Sequence, residues 1–251
     1  MSFHPRNRNP KEIALVPSFQ TTSWSMVRLA SDRSRDEGRE ALAAFCRQYW
    51  YPVYAFIRRR GFSEEEAADL TQGFFTRLLE KETLQAADPE RGRFRTFLLT
   101  SCRNFLANEH DRVTAVKRGG GVPSLSLDLE NAEGRYASEP SHDLTAEKLF
   151  ERRWALEMIA RSIQQLRDEY GASGRAALFE ALKPGLVGAD AARPATSAAA
   201  SLGMTEAALR KAAQRLRQRF GRILRDRIAE TLHDPNDLED EVRALFLTLG
   251  S

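Results

Sequence analysis

Between positions 40 and 60 the apolar residues Leu42, Phe45, Tyr49, Val53, Phe56 and Ile57 recur at intervals of three and four, the stripe of an amphipathic helix. Pro52 interrupts that stripe and reads either as a kink in one helix or as the first turn of a second. After Gly61 and Phe62 come Ser63, Glu64, Glu65 and Glu66. Ser63 and Glu66 have capping-box spacing, and three acids suit the positive end of a helix dipole. The helix predicted to start at Ser63 buries Ala67, Leu70, Phe74 and Leu78, is widened by Phe75 and Leu79, and ends before Asp88-Pro89. Its other face carries Asp69, Gln72 and Thr76, either a plain solvated surface or one offered to a partner helix. Beyond Arg91-Gly92 a third helix places Phe94, Phe97, Leu98, Cys102 and Phe105 on one side, with Arg93, Arg95, Arg103 and Arg112 elsewhere.

Periodicity stops between 117 and 142, where Lys117-Arg118-Gly119-Gly120-Gly121 gives way to Pro123, serines and scattered acids, the composition of a linker. It resumes near Leu144 with Phe150, Trp154, Met158, Ile159, Ile163 and Leu166, followed by a shorter piece over 176–182. Pro184, Gly185, Gly188 and Pro194 mark a loop. A short alanine-rich helix over 196–202 then closes at Gly203, and Thr205 caps a longer helix with Leu209, Ala213, Leu216, Phe220, Ile223, Leu224 and Ile228 inside. Short helix, glycine turn, long helix are the proportions of a helix-turn-helix. No alternating strand pattern occurs. The expected fold is all-α, two small helical domains joined by a flexible linker, the second containing the helix-turn-helix. The expected boundaries are a disordered segment at 1–24, helical domains at 25–116 and 144–232, the linker at 117–143 and an acidic amphipathic extension at 233–251.

Charge changes this picture more than composition does. The 251 residues are 42% hydrophobic and 29% charged, an ordinary soluble profile. No run approaches the roughly 18 apolar residues of a membrane span. The first twenty residues, with Pro5, Pro10 and Pro17, lack the apolar core of a secretory signal, so a cytoplasmic protein is expected. Cys46 and Cys102 are too few and too far apart for a disulfide framework or a zinc site. The net charge is only +3, but the stretch 205–227 holds eight basic residues against Glu206 and Asp226. A basic stripe beside an apolar one suits phosphate binding, with Glu206, Arg210 and Lys211 at the end of the helix that reaches base edges. The plainer alternative is the solvated face of an amphipathic helix.

Enzymatic function is not expected. The chain lacks a phosphate-binding glycine loop, a metal-ligand cluster and a nucleophile constellation, and His4, His110, His142 and His233 are scattered. No cofactor is expected either.

Two stretches carry a family resemblance. Residues 67–79 (Ala-Ala-Asp-Leu-Thr-Gln-Gly-Phe-Phe-Thr-Arg-Leu-Leu) resemble the polymerase-binding helix of region two of bacterial sigma factors, and 94–104 (Phe-Arg-Thr-Phe-Leu-Leu-Thr-Ser-Cys-Arg-Asn) resemble the helix that follows it. The helix-turn-helix near the C-terminus resembles region four, so the order along the chain also matches, with a linker like that of the extracytoplasmic-function type. The resemblance covers 41–112 and 145–227. It implies a transcription-initiation subunit that joins the RNA polymerase core at the β′ clamp helices and the β subunit and binds promoter DNA, with an anti-sigma factor as a further partner and no membrane insertion. By position it implies polymerase contacts at Asp69, Leu70, Gln72, Phe75 and Arg77. The −10 element would be met by Arg103, Asn104, Asn108 and Arg112, and the −35 element by Thr205, Glu206, Arg210, Lys211, Gln214 and Arg215. Asn108 stands where the family usually has an acid, and Ser197, Ala208 and Ala212 replace commonly polar or charged residues. A flexible linker of about 26 residues averages roughly 30 Å but stretches to about 85 Å, so it joins two bound elements only when nearly extended. The last stripe, Leu238, Val242, Leu245 and Leu249, follows a run of acids and predicts an extra helix, either one that packs on the sigma domains and regulates them or a plain terminal helix. The rival functions are a helix-turn-helix regulator that never joins the polymerase and, third, a helical protein-interaction module.

Overall fold

The computed structural model describes residues 36–78, 93–115, 131–139, 144–186, 199 and 201–250, with the side chains of 36–43 and 110–115 excepted. The expected disordered segment at 1–24, the Asp88-Pro89 helix end, most of the linker and the loop through Gly188 and Pro194 lie outside those residues. Among the described residues there are eight α-helices and no strand. They are α1 (Asp36–Arg59), α2 (Glu64–Leu78), α3 (Phe94–Ala115), α4 (Ala132–Ala137), α5 (Ala146–Ala172), α6 (Ala176–Leu182), α7 (Glu206–Ala229) and α8 (Leu238–Gly250).

Pro52 does not divide α1, which runs continuously through it. A mid-helix proline costs one hydrogen bond and about 3 kcal/mol, and burial of its neighbours offsets that cost. Val53, Tyr54, Ala55, Phe56 and Ile57 are all at 0% exposure, so this part of α1 is buried all round and not along a single stripe. It is surrounded by α2, α4 and α5. Gly61 ends the turn after α1 with φ +97, a conformation L side chains rarely adopt.

The predicted capping box is present. Ser63 N donates to Glu66 Oε2 at 2.8 Å, and Glu66 N donates back to Ser63 Oγ at 3.2 Å. Helix α2 then buries Ala67, Phe74, Phe75 and Leu78, and α3 meets it with Leu98, Cys102, Phe105 and Leu106. The two helices approach closely at Gly73, where a Cβ would lie 3.3 Å from the Phe105 ring. Phe105, which could in principle have stacked on a base, is 8% exposed, and its ring centroid lies 5.8 Å from that of Phe74.

Helix α5 organises the rest. Thr145 caps it by accepting from Lys148 N at 3.2 Å, and its 27 residues give a rod of roughly 40 Å. It packs on α1 along one side and on α6, α7 and α8 along others. Leu149, Phe150, Trp154, Ala155, Met158 and Leu166 join one contiguous core that reaches from Phe45 to Leu245. Part of the expected linker is helical as well. In α4, Glu133 takes a two-pronged ion pair from Arg58 at 2.6 and 2.9 Å and a hydrogen bond from Tyr54 OH at 2.8 Å. Glu139, just beyond α4, accepts from Tyr51 OH at 2.7 Å and pairs with Arg153 of α5. The 131–139 stretch is thereby pinned in the angle between α1 and α5.

Glu230 closes α7, where its charge is burdened by burial and by the negative end of the helix dipole. Its carboxyl is pushed up to about 7, mainly by desolvation. A folded-state pKa above the unfolded value favours the fold below about pH 4 and loses that advantage as pH rises through 7. Glu230→Gln should therefore stabilise the fold by about 1 kcal/mol at pH 8, after allowance for partial exposure, and be nearly neutral at pH 4. Thermal melts of both proteins at the two pH values check this, and an equal shift at both would contradict it.

Candidate nucleic-acid interface

The outward stripe of α2 is polar. Asp69 and Arg77 are exposed, while Leu70, Gln72 and Thr76 are half-buried. Phe75 lies elsewhere: at 0% exposure it stands edge-on to Phe45, centroids 5.9 Å apart, and to Phe74, 5.3 Å apart. It fixes the orientation of α2 and offers no surface. Glu65, exposed and one turn before Asp69, extends the stripe, a membership readable from its i, i+4 spacing.

On α3 the side chains of Asn104 and Asn108 are exposed one turn apart, and Arg103 sits beside them. Arg112 lies in the helix, but its side chain is outside the described residues. Arg103 Nη2 is paired with Glu147 Oε1 of α5 at 2.7 Å. The arginine beside it in charge but not in position is Arg95, expected on the polar side of α3 and found buried. Arg95 is 8% exposed, lies 4.6 Å over the Trp154 ring, and pairs with Glu151 at 2.7 Å and with Glu241 of α8. Desolvation lowers the Arg95 pKa, opposed by Glu151, but an arginine so placed keeps its charge.

The turn before α7 is set by glycine. Gly203 has φ +63, and Met204 N donates to Ala199 O at 3.0 Å, the bond that closes a helix C-terminus over a left-handed residue. Thr205 then caps α7 by accepting from Ala208 N at 3.2 Å, which leaves its exposed hydroxyl the O–H to donate. Glu206, Arg210, Lys211, Gln214 and Arg215 are all exposed on the first half of α7, and Arg222 continues the surface. The residues before Ala199 in the expected first helix lie outside the described residues.

The basic count on α7 overstates its free charge. Arg219 makes a two-pronged pair with Glu169 of α5 at 2.6 and 2.8 Å, and Arg225 pairs with Glu239 of α8 at 2.9 Å. Arg227 donates to Gln165 at 2.8 Å, and Arg217 to Gly185 O at 3.4 Å. Paired with its arginine, each of Glu169 and Glu239 is held below the usual carboxylate range. The second half of α7 is thus bound into the fold by its arginines, and the positive surface is concentrated at the N-terminal half, where the helix dipole adds to it.

Comparison with known families bears on the first three helices. Residues 46–114 match the family model of sigma-70 region 2. That match supports a sigma-70 family member, and it covers about a quarter of the chain. Its limits run from the middle of α1 to the end of α3, so the region-2 segment is the bundle that carries both the α2 stripe and the exposed face of α3. No curated protein matches the chain, and no solved structure does. Among the described residues no helix is long and apolar enough to cross a membrane, and no group of three His, Cys, Asp or Glu could hold a metal ion.

Proposed function

We propose that this chain is a sigma factor of the extracytoplasmic-function type, which binds the RNA polymerase core and directs promoter recognition and opening. The observation that carries this reading is the coincidence of the region-2 match with α1–α3, whose solvent-facing polar stripe belongs to α2. Asp69, Gln72 and Arg77, supported from beneath by Phe75, are the polymerase contact. Arg103, Asn104, Asn108 and Arg112 of α3 face the −10 element. Opening the duplex costs a few kcal/mol of unstacking, which single-strand contacts on such a surface offset. Helix α7, capped at Thr205, is the recognition helix for the −35 element: Glu206, Arg210, Lys211 and Gln214 face bases, and Arg215 faces phosphate. The protein works in the cytoplasm, where the polymerase is, and supplies no catalytic step of its own.

Two measurements test this. The full-length protein should co-purify with bacterial core polymerase in a stoichiometric complex that resists moderate salt. Absence of that complex, with duplex binding retained, would make the chain a stand-alone helix-turn-helix regulator. For the DNA half, Arg215→Ala should reduce the slope of log affinity against log salt by about 0.9, the contribution of one neutralised phosphate, while Arg210→Ala with Lys211→Ala should chiefly relax sequence preference. An unchanged slope with unchanged preference would remove α7 from the DNA interface.

A further inference from the structure

We infer that α7 reads a T·A, a G·C and an A·T base pair in that order, through the methyl of Ala207, the ammonium of Lys211 and the amide of Gln214. This inference rests on the recognition role proposed above for α7, and it names the DNA sequence class that the helix takes.

The outward strip of α7 follows from its buried one. Leu209, Ala213, Leu216 and Phe220 are buried, and at about 100° per residue the positions farthest from them are 207, 211, 214 and 218. All four are exposed. Glu206 and Arg210 stand at one edge of the strip, Ala208 and Arg215 at the other. The first turn is bare in the middle, because Ala207 and Ala208 put nothing longer than a methyl between the backbone and whatever lies against it. Lys211, Gln214 and Gln218 make no hydrogen bond or ion pair with another described residue. Arg217, Arg219, Arg225 and Arg227 all do, so the fold leaves this one strip of α7 unengaged.

Each group on the strip selects a different base edge in the major groove. Against a methyl, an amino group or a purine acceptor loses its water without a replacement, whereas the C5 methyl of thymine gains an apolar neighbour. Ala207 therefore favours thymine. An ammonium only donates, which matches the paired O6 and N7 acceptors of guanine and leaves the amino groups of adenine and cytosine unanswered. A glutamine amide donates and accepts, the complement of adenine N6 and N7. At 1.5 Å per residue, Ala207 and Lys211 are about 6 Å apart along the helix and Lys211 and Gln214 about 4.5 Å. Base pairs stack every ~3.4 Å, so successive contacts fall about one to two base pairs apart. Gln218 lies a full turn beyond Gln214, outside the N-terminal part of a recognition helix that reaches base edges.

The test is selection from a pool of duplexes with a randomised central segment, using the full-length protein both free and joined to bacterial core polymerase, with core alone as background. The expected element holds a G·C pair with a T·A pair about one to two positions to one side and an A·T pair about one to two positions to the other. Lys211→Ala should relax the G·C preference about tenfold, and Gln214→Ala the A·T preference about tenfold, each leaving the other positions as they were. Replacing the selected thymine by deoxyuridine removes only the C5 methyl and leaves the protein untouched. Affinity should then fall about fourfold, as for one buried methyl, and by less than about twofold with Ala207→Gly, whose own methyl is already gone. An element without that thymine, one in which deoxyuridine binds as well as thymidine, or Lys211 and Gln214 variants that keep the parent's preferences overturn the inference and leave α7 a DNA-binding helix. Absence of any sequence selection in both forms, with the protein folded by circular dichroism, overturns it together with the −35 role of α7.

Discussion

Phe150→Ala is expected to destabilise the protein by about 3–5 kcal/mol, and to do so in one transition that takes α1 and α7 together. Phe150 is at 0% exposure on α5, and its ring lies 6.5 Å from that of Phe56 on α1, edge to face. Truncating a buried phenylalanine loses its transfer free energy and leaves a cavity that rigid helices cannot fill. The effect should spread because α5 belongs to both halves of the chain: it packs on α1 on one side and on α7 and α8 on others. Denaturant unfolding followed by two probes, emission of the three tryptophans Trp24, Trp50 and Trp154 and helical circular dichroism, should give coincident curves within each protein, with the variant's midpoint lowered for both probes. If the helical signal splits into two steps and only one of them moves, the two halves are energetically independent and α5 does not couple them.

Asp69→Ala with Gln72→Ala is expected to reduce promoter-dependent transcript yield at least tenfold while changing stability by less than about 1 kcal/mol. Asp69 is exposed and Gln72 half-buried, on a helix whose position is fixed from the opposite side by Phe74, Phe75 and Leu78. Surface substitutions of this kind leave the fold nearly unchanged. At an interface, however, the loss of two central polar contacts, one of them charged, is worth 1.4 kcal/mol or more, a factor of ten. Titration of labelled protein into core polymerase measures the affinity directly. Unchanged affinity in a folded variant would place the polymerase contact away from α2.

How far the sequence carries the fold depends on what each residue signals locally. Ser63 and Glu66 announced their helix because a capping box is made of neighbours, and Thr205 with Gly203 announced the turn before α7 for the same reason. Apolar spacing gave α3, α5, α6, α7 and α8 close to their observed limits and α2 its start, the expected end of α2 before Asp88 lying outside the described residues. At α1 the spacing left two readings of Pro52, a kink in one helix or the start of a second, and the helix is in fact continuous: the compensation comes from neighbours burying residues 53–57 on every side, which a single strand of sequence does not reveal. Helix α4 was missed because six residues carry too little periodicity; its stability comes from Arg58, Tyr54 and Tyr51, more than seventy positions earlier.

The surfaces were less legible than the core. Arg95 was placed on the polar side of its helix because charged residues usually are solvated, and its burial is tolerable because Glu151 of α5 and Glu241 of α8 meet it there. Counting arginines on α7 could not separate Arg210 and Arg215, which are exposed, from Arg219 and Arg225, whose carboxylate partners lie on α5 and α8. Phe75 was named from a resemblance that reports position along a helix, and its orientation toward Phe45 is a property of the packed bundle.

The most direct test is run-off transcription with purified bacterial core polymerase, this protein, and a pool of promoter fragments from its own genome. Discrete transcripts that require the protein, and that weaken with Asp69→Ala plus Gln72→Ala, are the predicted result. No transcript above core polymerase alone, with the protein folded and absent from the polymerase fraction, would contradict the assignment of this chain as a sigma factor.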